Sequence, residues 1–163
     1  MMNRLDGKTA LISGASRGIG AATATLMINA GANVIIGDVL KTKGEETVQK
    51  LGSNAIFTSL NVTDEGDWSN AVELAVNKFG SLDILVNNAG LFLGRDFADI
   101  SLDEWNRLAS VNMTGVWLGT KAATDALAES GAISNQGSAI VNISSVAGLS
   151  LIHISEPTRL GFI

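Results

Sequence analysis

The stretch that decides the fold is Ser13-Gly14-Ala15-Ser16-Arg17-Gly18-Ile19-Gly20, which follows the apolar run at residues 9–12. Apolar or small residues then recur at helical spacing, namely Ile19, Ala22, Thr23, Leu26, Met27 and Ala30. This order predicts a strand, a glycine-rich turn and a helix. Such a turn binds phosphate, because glycines let the backbone approach the anion and the helix N-terminus offers unpaired N–H groups. Ser16 stands where the G-x-G-x-x-G pattern has its second glycine, so a plain tight turn remains the alternative.

The bulk composition indicates one acidic globular domain. The chain has 163 residues, 46% of them hydrophobic, and a net charge of -5 with no basic stretch. This balance argues against nucleic acid and anionic membranes as partners. No cysteine is present, the first residues show no apolar signal region, and no run is long enough to span a bilayer. The expected location is therefore the cytoplasm.

Strand and helix patterns alternate along the rest of the chain. Apolar strand segments are expected at 33–37, 55–58, 82–86 and 139–143, and helices at 41–51, from Thr63 or Asp64 to Phe79, and from the capping box at Ser101 to about Glu129. The strands are continuously apolar, which is typical of a parallel sheet covered on both faces. The expected fold is α/β, a three-layer doubly wound parallel sheet of the Rossmann type.

Polar residues follow the predicted strands, at the edge where ligands of such sheets bind. The glycine turn follows the first strand, Asp38 the second and Asn61-Val62 the third. Asn88-Ala89-Gly90 follows the fourth strand and Ser144-Ser145 the fifth. Asn and Gly are also the commonest turn residues, so a simple turn is the competing interpretation of residues 88–90.

Asp38 bears on the choice of cofactor. A carboxylate after the second strand accepts hydrogen bonds from the adenosine ribose and repels a 2′-phosphate, which favours NAD over NADP. A solvated turn aspartate is the plainer alternative. Arg17 argues in the opposite direction, since a cation in the glycine turn pairs with a 2′-phosphate. We give Asp38 more weight, because its carboxylate would repel a 2′-phosphate at close range, whereas the long side chain of Arg17 can turn away from the ribose.

Two further polar residues are candidates for chemistry. Asn112 lies on the apolar face predicted for the long helix, together with Trp105, Leu108, Ala109 and Val116. It is either a satisfied core asparagine or the residue whose carbonyl holds a water in a proton relay. Ser145 either binds a substrate carbonyl or caps a turn. No Gly-x-Ser-x-Gly motif is present, and His153 has no second ligand at metal-binding spacing, so neither a serine hydrolase nor a metal site is predicted.

Taken in order, these motifs resemble the short-chain dehydrogenase/reductase family over about Leu5 to Leu149. The resemblance implies an NAD(H)-dependent oxidoreductase that interconverts secondary alcohols and ketones, similar to hydroxysteroid and secondary-alcohol dehydrogenases or to 3-oxoacyl reductases. It assigns the pyrophosphate to Gly14, Gly18 and Gly20, with contacts from Ser16 and Ile19. It assigns the ribose to Asp38, the adenine to Asn61 and Val62, and the nicotinamide side to Asn88, beside Ala89 and Gly90. Asn112 becomes the relay residue and Ser145 the residue that positions the carbonyl.

The sequence departs from this family where the Tyr-x-x-x-Lys pair is expected, between about Leu151 and Phe162. The chain contains no tyrosine, and no lysine occurs in that segment. The tail lacks helical periodicity and resembles translated sequencing-adapter read-through. We therefore expect a partial dinucleotide-binding domain at 1–151 and a foreign tail at 152–163, with the genuine protein continuing beyond it as a homo-oligomer.

Two functions follow from that expectation. The first is an alcohol dehydrogenase or ketoreductase whose present chain is inactive because the Tyr/Lys pair is missing. The second is a non-catalytic dinucleotide-binding sensor or interaction protein. Loss of the later strands would also leave the fifth strand as an apolar sheet edge, which predicts poor solubility.

Overall fold

A computed structural model describes residues 5–145, except for the side chain of Phe97. Its centre is one parallel sheet of five strands. The strands are β1 (Thr9–Ser13), β2 (Asn33–Asp38), β3 (Ala55–Ser59), β4 (Ile84–Asn87) and β5 (Ala139–Asn142). The order across the sheet is β3-β2-β1-β4-β5, with β1 in the middle. The chain adds β2 and β3 on one side of β1 and then crosses to the other side to add β4 and β5. The doubly wound parallel sheet predicted from the sequence is therefore confirmed.

The helices are α1 (Gly18–Asn29), α2 (Lys41–Leu51), α3 (Glu65–Phe79), α4 (Leu102–Ala109) and α5 (Gly115–Ile133). Asp64 caps α3 by accepting a hydrogen bond from the Asp67 N–H, and Ser101 and Glu104 form the predicted capping box of α4. A π-helical turn at Ser110–Thr114 joins α4 to α5. The single long helix expected from residue 101 is thus two α-helices with a wider turn between them. No helix in residues 5–145 is long and apolar enough to cross a membrane.

Two hydrophobic cores lie on opposite faces of the sheet. Leu11, Ile35 and Leu85 point to one side and pack against α3 and α5. The alternate residues of the same strands, such as Ile12 and Ile36, point to the other side and pack with Ala24 of α1 and Val48 of α2. Because successive residues of a strand face opposite ways, strands covered on both sides must be apolar throughout. This arrangement gives the three layers.

The buried face of α1 differs from the predicted one. Ile19 and Leu26 are 65% and 69% exposed, while Gly20 and Ala24 are buried. A Cβ on Gly20 would lie 2.5 Å from the Gly14 carbonyl oxygen, so this glycine must face the turn. The close approach at Gly20 fixes the rotation of the helix and turns the larger side chains outward.

The apolar face predicted for the long helix is also wrong in part. Trp105 is 54% exposed, and no residue of α4 is fully buried. Asn112 and Val116 are half-buried. The π-helical turn lies between Trp105 and these two residues, and it changes the angle at which later side chains leave the helix. One straight α-helical spacing therefore does not describe the whole segment.

The strand at the end of the described region departs from the continuous burial seen in the centre. All four residues of β5 are exposed, including Ile140 at 42% and Val141 at 44%. β5 pairs with β4 on one side and is the edge of the sheet within the described residues. The predicted apolar edge strand is therefore present in this part of the chain.

A polar network ties the amino ends of the strands to α5. The Asp83 carboxylate accepts hydrogen bonds from Lys8 Nζ (2.8 Å), Ser130 Oγ (2.6 Å), Ser81 Oγ (2.7 Å) and the Thr9 N–H (2.9 Å). Burial raises the pKa of Asp83, but the hydrogen bonds from Lys8, Ser130, Thr9 and Ser81 outweigh it and lower the pKa from 3.8 to about 2. The network joins the start of β1, the residues before β4 and the end of α5.

Candidate functional site

An open cleft of about 700 Å³ lies beyond the carboxyl ends of the central strands. Its walls include most of the predicted cofactor residues: Gly14, Arg17, Gly18, Ile19, Asp38, Asn61, Val62, Asn88, Ala89 and Gly90. Ser16 and Gly20 are buried beneath the turn and do not line it. The structure thus gathers residues from four separate parts of the chain at the edge that the sequence indicated.

The glycine turn is built so that backbone lies directly against backbone. Gly14 has φ +65°, and a Cβ there would lie 2.8 Å from Ala89 Cα. The following helix begins at Gly18, which also has a positive φ of +58°. These conformations are open to glycine at little cost and strain other residues. The turn therefore presents bare main chain and the α1 N-terminus to the cleft.

Ser13 and Asn88 hold the turn against the end of β4. The Ser13 Oγ accepts hydrogen bonds from the N–H groups of Asn88 and Ala89, each at 3.1 Å. In return, Asn88 Nδ2 donates to the carbonyls of Ser13 (2.9 Å) and Gly14 (3.0 Å). The side-chain NH₂ of Asn88 therefore faces the turn, although the residue also lines the cleft. No sequence pattern predicted that Ser13 and Asn88 join the glycine turn to the end of β4 by hydrogen bonds.

Asp38 lies at the end of β2 and is 7% exposed. Its Oδ2 accepts from the Ser16 N–H at 2.9 Å, and its Oδ1 accepts from the Leu40 N–H at 3.0 Å. A carboxylate has about four lone-pair sites, so each oxygen can accept one more hydrogen bond. The two backbone donors fix the carboxylate at the wall of the cleft, where further donors can reach it.

Asn112 lies within the π-helical turn and clamps the loop after β4. Its Oδ1 accepts from the Leu91 N–H at 2.8 Å, and its Nδ2 donates to the Leu91 carbonyl at 2.9 Å. Both polar ends of the side chain are used, so a satisfied asparagine is what the structure shows. The clamp fixes Leu91, which lines the cleft beside Gly90.

Ser145 follows β5 at the same sheet edge, is exposed and does not line the cleft. The end of β5 is tied to β4, because Asn87 Nδ2 donates to Asn142 Oδ1 at 2.9 Å and the Ile143 N–H donates to the Asn87 carbonyl at 2.9 Å. These contacts hold Asn142 and Ile143 beside the end of β4, and Ser145 follows two residues later. The predicted Tyr/Lys segment and the tail from residue 152 lie outside the described residues.

Several residues that no sequence pattern indicated also line the cleft. They are Val39, Leu40, Leu60, Thr63, Leu91, Arg107, Ser110 and Val111. The last three come from α4 and the π-helical turn, whose side-chain directions do not follow from α-helical spacing. Arg107 was the one charged residue among them, and no sequence pattern distinguished it from other surface arginines.

The charged groups of the cleft are Arg17, Asp38 and Arg107. Neither arginine forms an ion pair with any carboxylate in residues 5–145, and the Asp38 carboxylate is held by backbone donors. The described part of the chain holds no group of three or more potential metal ligands. The walls thus combine two cations, one carboxylate and apolar surface from residues such as Leu60 and Val62.

These features fit a dinucleotide. Bare backbone at Gly14 and the N-terminus of α1 suit a pyrophosphate, and a Cβ at Gly14 would collide with the Ala89 backbone and disturb the turn. The fixed carboxylate of Asp38 suits a ribose diol. Apolar side chains in the cleft wall, such as Leu60 and Val62, suit the flat face of a base.

Comparison with known proteins identifies the family to which this chain is similar. The family model described as "short chain dehydrogenase" matches residues 8–155. A trans-4-hydroxycyclohexanecarboxylate dehydrogenase of Sinomonas cyclohexanicum is 42% identical over 156 residues, covering 90% of this chain and 58% of the relative. A 3-alpha-(or 20-beta)-hydroxysteroid dehydrogenase of Mycobacterium bovis is 43% identical over 149 residues, covering 91% of this chain and 55% of the relative.

A solved structure shares the fold. The crystal structure of 3-ketoacyl-(acyl-carrier-protein) reductase from Brucella melitensis, complexed with NADH, matches with a TM-score of 0.84 at 36% identity. The match covers 88% of this chain and 59% of the reductase chain. The chain therefore spans little more than half the length of the proteins it matches. Since the family model matches nearly the whole sequence, the chain belongs to the short-chain dehydrogenase family.

Proposed function

We propose that the cleft binds a nicotinamide dinucleotide. The observation that carries the proposal is the combination of a side-chain-free turn at Gly14 with the fixed carboxylate of Asp38 one strand away. Gly18 and Ile19 at the start of α1 complete the pyrophosphate end, while Asn61 and Val62 line the adenine end, in keeping with their places in the cleft wall. Membership of a family that binds NAD(P) supports this assignment.

NAD is proposed over NADP. Asp38 is anchored by two backbone N–H groups, so its negative charge cannot move away from a 2′-phosphate. The two residues after it, Val39 and Leu40, line the cleft and carry no cation. Arg17 is exposed, lies in the glycine turn and lines the same cleft, so it is the residue in the turn that favours a 2′-phosphate. The NADH bound to the similar reductase belongs to that protein and agrees with this preference.

For the whole protein we propose oxidation of a secondary alcohol carried on a carbocyclic compound. Both curated relatives described above have names that specify hydroxylated carbocyclic compounds, and their identities exceed that of the 3-ketoacyl reductase. The bound nicotinamide would supply the hydride chemistry. Ser145 would hold the alcohol or carbonyl oxygen by hydrogen bonding, and Asn112 would keep the loop after β4 in place while its backbone carbonyl holds a relay water.

The 163-residue sequence contains no tyrosine. A phenol aligned with Ser145 is the proton donor and acceptor that the family resemblance implies, and proton transfer of this kind contributes about a hundredfold or more. We therefore propose that this chain binds the dinucleotide without turning over substrate. A purely cofactor-sensing protein is the second candidate, and the same absence of tyrosine favours it.

The assembly and the location remain predictions. Trp105 of α4, Met113 of the π-helical turn and Trp117 of α5 are between 54% and 68% exposed, and such apolar surface favours a homo-oligomer in the whole protein. The cytoplasm remains the location expected from the cysteine-free sequence.

The experiment that separates the candidates begins at the gene. The locus is amplified and read past the codon for Leu151, and the resulting protein is assayed with NAD and a cyclohexanol-type alcohol. An in-frame Tyr-x-x-x-Lys and NAD-dependent oxidation that Ser145→Ala lowers about a hundredfold would support the dehydrogenase. A stop after Ile163 would leave the binding function alone. Turnover of open-chain 3-oxoacyl substrates only would contradict the carbocyclic assignment.

A further inference from the structure

We propose that Arg107 is a cofactor-positioning residue that covers the adenine base of the bound dinucleotide. The inference rests on the proposed function and assigns a role to a residue that no motif singled out. Arg107 belongs to the last turn of α4 and lines the same cleft as Asp38 and Asn61.

The packing of the helical segment shows at which end of the cleft Arg107 lies. Gly115 packs against Val62 in the loop that follows β3, since a Cβ on Gly115 would lie 2.8 Å from Val62 Cγ2. Val111, four residues earlier, packs on the core that contains Leu60 and Val62. Arg107, in the last turn of α4 before this contact, lines the cleft together with Asn61, Val62 and Thr63 of the loop that follows β3. It therefore lies at the β3 end of the cleft.

The order of the sheet then identifies the part of the ligand that reaches this end. The glycine turn follows β1, Asp38 follows β2, and the loop from Leu60 follows β3, which is the order of three adjacent strands. A dinucleotide with its pyrophosphate at the turn and its ribose at Asp38 must place its adenine near β3. Arg107 and the base consequently occupy the same end.

The chemistry of the guanidinium suits this position. Arg107 forms no ion pair within residues 5–145, whereas the exposed Arg95 lies 3.0 Å from the Glu104 carboxylate. An unpaired guanidinium is planar, weakly hydrated and stacks on flat π-systems, including nucleic-acid bases. Val111 and Leu60 line the same cleft and supply apolar surface for a base. Arg107 is thus available to the base and not committed to another group of the described chain.

The test is a set of titrations on the 163-residue chain with three ligands: NADH, AMP and reduced nicotinamide mononucleotide. The mononucleotide carries a phosphate but no adenine. Arg107→Ala should weaken NADH and AMP binding about fivefold, the loss expected for an exposed cation–π contact. Binding of the mononucleotide should not change. Arg107→Lys keeps the charge without the planar face, and its NADH affinity should fall close to that of the alanine variant.

Arg95→Ala is the matched control, because Arg95 is an exposed arginine outside the cleft. Thermal melting of both variants should match the parent chain, since neither side chain is buried. Unchanged NADH affinity in Arg107→Ala would overturn the inference alone. Equal weakening of AMP and the mononucleotide, or full retention of affinity by Arg107→Lys, would overturn it in favour of a simple charge effect. A parent chain that binds none of the three ligands would overturn the proposed function as well.

Discussion

At Gly20 the first helix passes so close to the preceding turn that no side chain fits. A Cβ there would lie 2.5 Å from the Gly14 carbonyl oxygen, 2.6 Å from Asn88 Nδ2 and 2.8 Å from Ala15 Cα. Two of these three atoms are backbone, so the neighbours have little freedom to move. Asn88 Nδ2 also donates the two hydrogen bonds that hold the turn, and displacing it would break them.

We therefore expect Gly20→Ala to lower the free energy of unfolding by about 2 kcal/mol, the usual cost of overpacking a tight site. Gly90→Ala is the control, because the nearest atom to a Cβ there is Asn112 Oδ1 at an ordinary 3.6 Å. Urea unfolding of both variants gives the measurement. Equal stability of the two would show that the turn adapts to a methyl group and that the close approach does not fix α1.

At the scale of the elements, the Asp83 network joins β1, β4 and the end of α5. The pKa of Asp83 is lowered from 3.8 to about 2, because hydrogen bonds from Lys8, Ser130, Thr9 and Ser81 outweigh the opposing effect of burial. A carboxyl whose pKa is lower in the folded state stabilises the fold above its unfolded pKa and loses that contribution as the pH falls. The loss should occur between about pH 4 and pH 2.

Asp83→Asn should accordingly reduce the free energy of unfolding at pH 7 by about 2 kcal/mol and reduce its fall between pH 4 and pH 2. Urea unfolding of the parent and the variant across that range gives the difference. Asp103→Asn is a suitable control, since Asp103 is an exposed carboxylate in the first turn of α4. A parent and an Asp83→Asn variant with the same pH dependence would contradict the role given to the network.

The strands and helix ends could be predicted from the sequence, but one helix face and part of the cleft could not. Buried strands and glycine-ended helices could be predicted, since apolar runs and stops such as Gly52 and Gly80 are local signals. The face of α1 could not, because its Ala- and Thr-rich sequence has little polarity contrast and the contact at Gly20 decides the rotation. The cleft residues Arg107 and Val111 were missed for a related reason. They lie on either side of the first residue of a π-helical turn, whose Asn112 forms a tertiary clamp on Leu91 that no local sequence signal indicates.

At the scale of the whole molecule, the edge strand β5 predicts association between copies of this chain. Its exposed Ile140 and Val141 point to opposite faces, and no charge or proline lies between Gly137 and Ser145. Light scattering should show concentration-dependent assemblies. Ile140→Lys should shift the distribution towards the monomer, because edge lysines oppose strand pairing. A monodisperse parent chain with a cooperative melt would contradict this prediction.

The cleft proposed to bind the dinucleotide lies away from that edge, at the ends of β1, β2, β3 and β4. Its residues all belong to the described part of the chain, so the cleft should form even though the chain spans little more than half of its relatives. The proposed dinucleotide binding can therefore be tested on the 163-residue chain independently of turnover.

The most direct measurement is calorimetric titration of the 163-residue chain with NADH and with NADPH at the same ionic strength. The structure predicts that NADH binds and that NADPH binds at least about tenfold more weakly, because the fixed Asp38 carboxylate repels a 2′-phosphate. Asp38→Asn should narrow that difference. Binding of neither dinucleotide, or tighter binding of NADPH, would contradict the central claim that this cleft is an NAD(H) site.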